Sequence, residues 1–480
     1  RCSPGDSALL VVPVGFVDDD PLKQRAIIHG IEVLGTTDAI GRLVQERNIE
    51  QVVITVARAS GGVIRQIVKR CDEAGVPTKI IPGISEILDG KVALNAIRPV
   101  RIDDLLGRDA VVLDQEFVGR FLSNRCVMVT GAGGSIGSEL CRQVARLKPS
   151  RIVLFERAEP ALFTVYQELR ASFPALEIVP ALGDVTDRDR VDDTLLHLSP
   201  HVIFHAAAHK HVPLVENNPG EAIRNNVLGT QTIADAADRH GVERFVMVST
   251  DKAVNPTSVM GATKRVAELY VQALDQTSNT RYVAVRFGNV LGSAGSVVPI
   301  FQAQIRAGGP VTVTHPKMTR YFMTIPEASQ LVMQAGAMGE GGEIFVLDMG
   351  EPVSIVELAR DLIKLSGLEP NVDIPITFSG VRPGEKLFEE IGFDAEMMDK
   401  TRHPKIFTGR LLPAPLDDVK AGLKTLRACL LARCREEVLE ALTALVPEMQ
   451  RDARDVDKPQ EPDVAQRTAH TSLTPSEQYP

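Results

Sequence analysis

The segment TGAGGSIG, from Thr130 to Gly137, constrains the fold of this chain more than any other segment. It follows the apolar run CVMV and precedes a helical pattern, so the sequence predicts a strand, a glycine turn and a helix in that order. Gly131, Gly134 and Gly137 let the backbone turn sharply and approach a phosphate without a Cβ in the way. The N–H groups at the start of the helix would face that phosphate. We therefore expect a dinucleotide-binding turn in a parallel α/β unit.

Short β-branched runs alternate with helical patterns along most of the chain, which is typical of α/β proteins with parallel sheets. From Cys126 onward the alternation is regular and predicts a doubly wound sheet. Its strands are predicted near Cys126–Thr130, Arg151–Phe155, Glu177–Leu182, His201–His205, Arg244–Thr250 and Tyr282–Arg286. A similar alternation before Arg101 predicts a first α/β unit with strands at Val11–Val17, Gln51–Val56 and Thr78–Ile81. The predicted fold class is α/β, with two Rossmann-like domains and a smaller C-terminal substrate-binding lobe on the second.

Five parts are expected along the chain. They are an apparently incomplete accessory domain over 1–105, a connector over 106–119, a nucleotide-binding domain with its lobe over 120–412, a helical segment over 413–449 and a disordered tail over 450–480. The tail is charged, rich in Pro, Ser and Thr, and has almost no large apolar residues, which favours disorder.

The composition excludes several functions. The chain has 53 Lys and Arg against 62 Asp and Glu, a net charge of −9 and no basic stripe, which argues against a nucleic-acid partner. Its six cysteines form no CxxC pair and have no metal-ligand spacing, so no metal site is predicted. The longest apolar stretch, Ala8 to Val17, falls short of the roughly 20 residues that span a bilayer, so no membrane span is expected here.

Residues beyond the turn are predicted to bind the adenosine half of the dinucleotide. Glu156 ends the second strand, where an acid accepts hydrogen bonds from the ribose hydroxyls. Arg157 beside it could pair with a 2′-phosphate, so NAD and NADP both stay open. Asp184 and Val185 follow the third strand and are placed near the adenine. The predicted cofactor residues up to the fourth strand are Thr130, Gly131, Gly133, Gly134, Ser135, Ile136, Gly137, Glu156, Arg157, Asp184, Val185, Ala206, Ala207 and Ala208.

Several longer motifs resemble those of a known family. They are GDV at 183–185, HAAAHKHVPLVE at 205–216, NNVLGT at 225–230, STDKAVNPTSVMGATKR at 249–265, RFGNVLGSAGSVVPIF at 286–301, MTRYFMTIPEA at 318–328 and GVRPGEKLFEE at 380–390. With the glycine turn they resemble the extended short-chain dehydrogenases/reductases, and more narrowly the polysaccharide-biosynthesis UDP-N-acetylglucosamine 4,6-dehydratases. PVGFVDDDPLKQ at 13–24 and HGIEVLG at 29–35 resemble the accessory domain of the large, membrane-linked members. We therefore expect a membrane region upstream of residue 1.

The tyrosine that usually carries the chemistry of this superfamily is absent. Its YxxxK pair reads Met260 and Lys264 here, and a thioether cannot exchange a proton. The large, membrane-linked dehydratases resemble this chain in carrying Met at that position, and Lys264 is expected to hold the nicotinamide ribose. Thr250, Asp251 and Lys252 follow the fifth strand, where the cleft of a doubly wound sheet opens. We predict Asp251 as the acid and Lys252 as the base that removes the C5 proton of the sugar.

The resemblance also implies the residues that hold a UDP-sugar. Guanidinium groups suit a diphosphate because they bind phosphate oxygens bidentately. The predicted substrate residues are Lys210, His211, Asn289, Ser296, Arg320, Arg382 and Glu385.

The activity that the resemblance implies is a configuration-retaining UDP-N-acetylglucosamine 4,6-dehydratase for surface polysaccharide. Hydride would pass from C4 to C6 with loss of water, and NAD or NADP would be regenerated in each cycle. A UDP-sugar 4-epimerase and a non-catalytic dinucleotide-binding scaffold stay open as alternatives. The resemblance further implies a homo-oligomer and a cytoplasmic domain, with the full-length protein at the cytoplasmic face of the bacterial inner membrane.

Overall fold

The computed structural model describes residues 12–56, 61–81, 97–105, 113–390, 392, 398–409 and 413–450. The first half of the predicted connector and the predicted disordered tail beyond Gln450 lie outside the described residues. So does Val11, the first residue of the first predicted strand.

Two small sheets make up the described chain before residue 105. Their strands are β1 (Phe16–Val17), β2 (Ile27–Ile28), β3 (Ile31–Gly35), β4 (Val52–Ile54), β5 (Thr78–Ile80) and β6 (Arg98–Pro99), and the helices are α1 (Ile40–Arg47), α2 (Gly61–Glu73) and α3 (Ile102–Leu105). In the first sheet, β3 pairs in parallel with β1 and antiparallel with β2. In the second sheet, β5 pairs in parallel with β4 and antiparallel with β6. The antiparallel strands depart from the parallel unit that the sequence predicts. The two residues joining β2 to β3, His29 and Gly30, both have positive φ, which suits a tight hairpin.

The large sheet begins with six parallel strands. These are β7 (Cys126–Thr130), β8 (Arg151–Glu156), β9 (Glu177–Leu182), β10 (Val202–His205), β11 (Arg244–Val248) and β12 (Arg281–Arg286). Every end lies within two residues of its predicted position. Their spatial order is β9-β8-β7-β10-β11-β12, so the strand order reverses between β7 and β10. A ligand cleft is expected at that reversal, beyond the carboxyl ends of the strands.

Helices cover both faces of this sheet. They are α4 (Gln115–Leu122), α5 (Ser135–Arg146), α6 (Glu159–Ser172), α7 (Arg188–Leu198), α8 (Val212–Asn217), α9 (Pro219–Ala222), α10 (Thr230–Arg239) and α11 (Val259–Asp275). Side chains along each strand alternate between two apolar clusters, because successive residues of a strand point to opposite faces. On β7, Met128 packs with α10 and α11, whereas Val127 and Val129 pack with α4 and α5. The second half of the predicted connector is therefore mainly helical, and its residue Val118 is fully buried.

The chain beyond β12 forms a lobe and then returns to the sheet. Its elements are β13 (Asn289–Val290), α12 (Val297–Arg306), β14 (Val311–Val313), β15 (Thr319–Arg320), β16 (Phe322–Met323), α13 (Ile325–Met338), β17 (Ile344–Leu347), β18 (Val353–Ser354), α14 (Ile355–Leu365), β19 (Ile376–Phe378), β20 (Met398–Lys400) and β21 (Ile406–Gly409). β17 extends the sheet in parallel, and β21 and β20 follow it antiparallel. Helix α14 has Ser354 as its N-cap.

Two further contacts hold the ends of the described chain to this core. Helices α15 (Leu416–Ala432) and α16 (Arg435–Leu445) pack on α11, where Leu426 and Leu442 are fully buried. At the other end, Ile102 and Leu105 of α3 share an apolar cluster with α12 and α14 of the lobe. The Arg65 guanidinium lies 3.2 Å from the Asp361 carboxylate across that contact.

Within the described part of the chain, none of the helices combines the length and apolar character needed to cross a membrane. Nor do the described His, Cys, Asp and Glu side chains form a group that could hold a metal ion.

Candidate active site

The glycine turn between β7 and α5 is built as the sequence predicts. Gly131 has φ of 66°, and a Cβ there would lie 2.8 Å from the backbone nitrogen of Ala207. A Cβ on Gly137 would lie only 2.0 Å from the Gly131 carbonyl oxygen. The N-cap residue of α5 is Gly134, which has no side chain to cap the helix, so the first N–H groups of α5 remain available for an anion. The turn can therefore approach a diphosphate closely.

The carboxylate of Glu156, at the end of β8, faces this turn. It accepts hydrogen bonds from the backbone N–H groups of Gly133, at 3.1 Å, and Ala158, at 2.9 Å. Arg157 pairs with Asp184 at 3.4 Å, and both line a separate surface cavity of about 320 Å³. The pKa of Asp184 is lowered, because hydrogen bonds from Thr186 and Arg157 outweigh the effect of burial, which acts in the opposite direction. Both an acid for ribose and a cation for a 2′-phosphate are thus present.

A cleft of about 950 Å³ opens beyond the carboxyl ends of the strands. It brings together residues that the sequence predicts from segments far apart in the chain. Those that line it are Gly134, Ser135, Ile136, Gly137, Ala206, Ala208, Lys210, His211, Thr250, Lys252, Met260, Lys264, Asn289, Ser296, Arg320, Arg382 and Glu385. Thr130, Gly131, Gly133, Glu156, Arg157, Asp184, Val185, Ala207 and Asp251 are not among its lining residues.

Thr250, Asp251 and Lys252 form a turn directly after β11. Thr250 is the N-cap of a short 3₁₀ helix, and its side-chain oxygen accepts from the backbone N–H of Lys252. The Thr250 hydroxyl also donates to the Asp251 carboxylate at 3.0 Å. Asp251 is only 2% exposed and lies behind its two neighbours, which line the cleft themselves. Protons would therefore pass between Asp251 and the cleft through the Thr250 hydroxyl or the Lys252 ammonium.

Lys252 is surrounded by acceptors. Its ammonium lies 3.0 Å from Asp251, 3.1 Å from the Asn289 side-chain oxygen and 3.2 Å from Glu389. Burial alone would lower the pKa of Lys252, but the Asp251 and Glu389 carboxylates outweigh it, so this pKa is raised. Burial raises the pKa of Asp251, more than the Lys252 charge lowers it. The resting site thus favours a charged Lys252, which must lose a proton before it can act as a base.

Met260 and Lys264 lie one turn apart on α11, which begins at Val259 after the N-cap Ser258. Residues at this spacing lie on one helix face, and both line the cleft. Burial lowers the pKa of Lys264 to about 8. Among the described residues the Lys264 ammonium has no hydrogen-bond or ion-pair partner. A buried ammonium facing the cleft beside the glycine turn fits the ribose hydroxyls of a nicotinamide dinucleotide.

Arg320 is bound by protein groups rather than left free for a ligand. Its guanidinium donates to the carbonyl oxygens of Thr319, Lys386 and Leu387. It also lies 3.3 Å from Glu389. Arg382, the other arginine predicted to bind the diphosphate, has an exposed side chain that lines the same cleft.

Two other predicted substrate residues, Lys210 and His211, also line the cleft. The Lys210 ammonium donates to the Ser293 hydroxyl at 3.0 Å. The ring of His211 packs against Gly295, where a Cβ would lie 2.6 Å from the ring. Burial lowers the pKa of both side chains.

Sequence reasoning missed a buried carboxylate, Glu389, on the cleft wall. Its motif GVRPGEKLFEE is recognisable, but nothing in the string separates Glu389 from the exposed Glu390 next to it. It also missed the network beneath the site, in which Glu268 accepts from Ser249 at 2.6 Å and from Arg286 at 2.8 Å. His205 is fully buried between two threonine hydroxyls, as a core residue.

The strand order, the glycine turn after the first strand of the large sheet and the lobe beyond β12 define an extended short-chain dehydrogenase/reductase fold. The sequence model of one family, described as polysaccharide biosynthesis protein, matches residues 127–410. The chain belongs to this family, which confirms the resemblance inferred from the motifs.

Individual relatives agree with this assignment. The capsular polysaccharide biosynthesis protein CapD of Staphylococcus aureus is 50% identical over 402 residues, which cover 83% of this chain and 67% of CapD. A UDP-N-acetylglucosamine 4,6-dehydratase (inverting) of Campylobacter jejuni is 35% identical, over 55% of this chain and 76% of its own. A UDP-glucose 4-epimerase of Rickettsia typhi is 33% identical, over 57% of this chain and 79% of its own.

A solved structure has the same fold. The X-ray structure of Pen from Bacillus thuringiensis is 34% identical to this chain with a TM-score of 0.56, covering 62% of this chain and 89% of that one.

Proposed function

We propose that this protein is a UDP-N-acetylglucosamine 4,6-dehydratase that holds a nicotinamide cofactor through each turnover. The observation that carries the proposal is the group formed by Thr250, Lys252 and Glu389 on the cleft wall. It supplies a hydroxyl, an amine and a carboxyl on a cleft that the glycine turn also lines. Dehydration needs proton donors and acceptors besides a hydride carrier, and such groups are what this wall provides.

The residues present fit the cofactor. Gly131 and Gly137 leave room for the pyrophosphate, Lys264 suits the nicotinamide ribose, and Glu156 suits the adenosine ribose. When bound in this cradle, the nicotinamide would accept a hydride from C4 of the sugar and return it to C6. We assign NAD or NADP without choosing, because Arg157 stands next to Glu156.

The side chains then have distinct tasks. The Thr250 hydroxyl is placed to pass the O4 proton of the sugar to Asp251, to which it already donates. A ketone at C4 acidifies the C5 proton, and a neutral Lys252 takes it. The acid form of Asp251 returns its proton through Thr250 to the departing C6 hydroxyl, which leaves as water. Lys252 finally gives its proton back to C5, and this balances the cycle.

Lys252 must be neutral at the moment of C5 deprotonation. Of the two carboxylates beside it, Asp251 at 3.0 Å already holds the O4 proton at that moment, so Glu389 at 3.2 Å is the acceptor for the Lys252 proton. Since both raise the pKa of Lys252, the dehydration rate should increase with pH on the acid side of its optimum.

The methionine at position 260 favours a dehydratase over a 4-epimerase. A 4-epimerase must move a proton at O4 but needs no base at C5, and the superfamily tyrosine usually serves it. Here position 260 offers only a thioether, while a lysine faces the cleft from another segment. Retention at C5, a role in surface polysaccharide, a homo-oligomer and attachment to the cytoplasmic face of the inner membrane belong to the same proposal, and rest on the family resemblance.

The test is to incubate the purified protein with UDP-N-acetylglucosamine and analyse the product by mass spectrometry and NMR. We expect loss of one water and a 4-keto, 6-deoxy sugar. A product of unchanged mass with inverted C4 would make the protein an epimerase. Bound cofactor with no product from any UDP-N-acetylhexosamine would support the scaffold instead.

A further inference from the structure

Glu389 connects the loop of the substrate lobe to the catalytic turn. It lies in the motif GVRPGEKLFEE, far along the chain from Lys252, yet its carboxylate is 3.2 Å from the Lys252 ammonium. The same oxygen, Oε1, lies 3.3 Å from the Arg320 guanidinium. The side chain is only 2% exposed. One carboxylate oxygen therefore bridges two cations that come from different parts of the site.

The second oxygen of Glu389 points to a role beyond packing. Oε2 is buried and has no hydrogen-bond partner among the described residues, as is also true of Oδ2 of Asp251. Leaving a buried carboxylate oxygen without a partner costs free energy, so such atoms usually have a ligand or a function. Glu389 lines the cleft, whereas Asp251 does not. The Glu389 side chain thus forms part of the wall of the cleft in which a sugar would lie.

Arg320 extends this connection to the nucleotide side of the cleft. Its guanidinium donates to the Lys386 and Leu387 carbonyl oxygens at 2.7 and 3.2 Å, and it lies 3.6 Å from Glu385. These groups belong to the loop that carries Arg382, the residue assigned to the diphosphate. A change in this loop on nucleotide binding would therefore reach Lys252 through Glu389.

We propose that Glu389 is a positioning residue that fixes the Lys252 ammonium in the cleft, sets its charge state, and couples it to the nucleotide-binding loop. The inference rests on the proposed function for the meaning of Lys252, but the contact itself does not depend on it. Lys252 is faced by Asp251, Glu389 and Arg320, and Glu389 is faced in addition by Lys386. Burial would raise the pKa of Glu389, but Lys252 and Arg320 lower it overall, so it is an anion at neutral pH.

The decisive variant is Glu389→Gln, with Glu390→Gln as its matched control. Glu390 is the adjacent residue, but it is exposed and pairs with Asn255 and Lys386 instead of Lys252. The first measurement does not require catalysis. Each lysine is acetylated with acetic anhydride across a pH series, and the extent of labelling is read by peptide mass spectrometry. Lys424, exposed on α15, serves as the internal reference.

Loss of the Glu389 charge should move the labelling midpoint of Lys252 to lower pH by about 1 unit or more. Glu390→Gln should leave it unchanged. An unchanged Lys252 midpoint in Glu389→Gln overturns the proposal. If that variant does not fold, Glu389→Asp keeps the charge but withdraws it by one methylene. A smaller downward shift is then expected, and an unchanged midpoint again overturns the proposal.

The second measurement uses UDP-N-acetylglucosamine. In Glu389→Gln, kcat should fall about 10- to 100-fold, because a misplaced catalytic group costs rate at this scale. The KM should change much less, and the acid limb of the pH–rate profile should move to lower pH. A labelling shift in a protein that dehydrates nothing would preserve the role of Glu389 and reject the proposed function. If the wild type dehydrates the substrate but Glu389→Gln shows no labelling shift, the proposed function stands and the role of Glu389 is rejected.

Discussion

Replacing Lys252 by Arg or by Ala separates its charge from its chemistry. Arg keeps a cation between Asp251 and Glu389, but its pKa is too high for it to act as a base. Ala removes both the charge and the base. If Lys252 takes the C5 proton, dehydration should fall at least about 100-fold in both variants, which is the usual contribution of a general base.

The two variants should differ in stability. Without the Lys252 ammonium, Asp251 keeps no cation within 4 Å among the described side chains, whereas Glu389 still has Arg320. Breaking a buried ion pair costs about 3–5 kcal/mol, and the Lys252 side chain is 19% exposed, so we expect about 3 kcal/mol for Lys252→Ala. With an unfolding entropy of about 2.1 cal/mol/K per residue, that corresponds to a fall in Tm of about 3–5 °C for a unit of this size. Lys252→Arg should lose much less stability, because it keeps a cation between the two carboxylates.

The assays are water loss followed by mass spectrometry and thermal unfolding followed by circular dichroism. Lys317, an exposed lysine of the lobe, provides the matched controls Lys317→Arg and Lys317→Ala, which should behave as wild type. Dehydration by Lys252→Arg within about tenfold of wild type would refute Lys252 as the base. An unchanged Tm in Lys252→Ala would refute the ion pairs described above.

Three more predictions concern the cofactor turn and the buried groups. Gly131→Ala should lose bound dinucleotide, because its Cβ would meet the backbone of Ala207; nucleotide released on denaturation is measured by absorbance, and wild-type occupancy would contradict the prediction. Glu268→Gln should lower the free energy of unfolding in urea by about 3–5 kcal/mol, because it removes the carboxylate bound to the buried Arg286; a loss below about 1 kcal/mol would contradict it. Burial lowers the pKa of His205 to about 3. Its contribution to the free energy of unfolding is therefore complete above about pH 6.5 and is lost as the pH falls towards 3, by at most about 5 kcal/mol. In His205→Gln, the free energy of unfolding should therefore depend less on pH over that range. A pH dependence parallel to that of the wild type would show that the acid sensitivity does not come from His205.

The fold of the large sheet could be predicted because its signals are local. A period of two in the strands, a glycine turn at Gly131 and helical patterns between strands are all visible in short windows. The predicted ends of β7 and β9 agree with the structure. Helix α4 was harder to predict, because its eight residues fall in a segment with mixed acidic and apolar residues. This helix is buried by packing against α13, a contact that no local sequence pattern reveals.

The site could be predicted in part for the same reason. Thr250, Lys252 and Lys264 follow from their positions after a strand and on a helix. Glu389 could not be found, because its contact with Lys252 joins segments more than a hundred residues apart. The commitment of Arg320 to backbone carbonyls could not be found either. Motif matching identifies an arginine, but only the folded chain determines which of its donors remain free.

The contact between α3 and the lobe has a practical consequence for fragments of this protein. A fragment starting just before β7 would contain the whole large sheet and the glycine turn. It would also lack Ile102 and Leu105, which pack with apolar residues of α12 and α14. The newly exposed surface of α12 and α14 would be apolar and would favour self-association in solution. A change in oligomeric state observed with such a fragment would then report the cut, rather than the assembly of the intact chain.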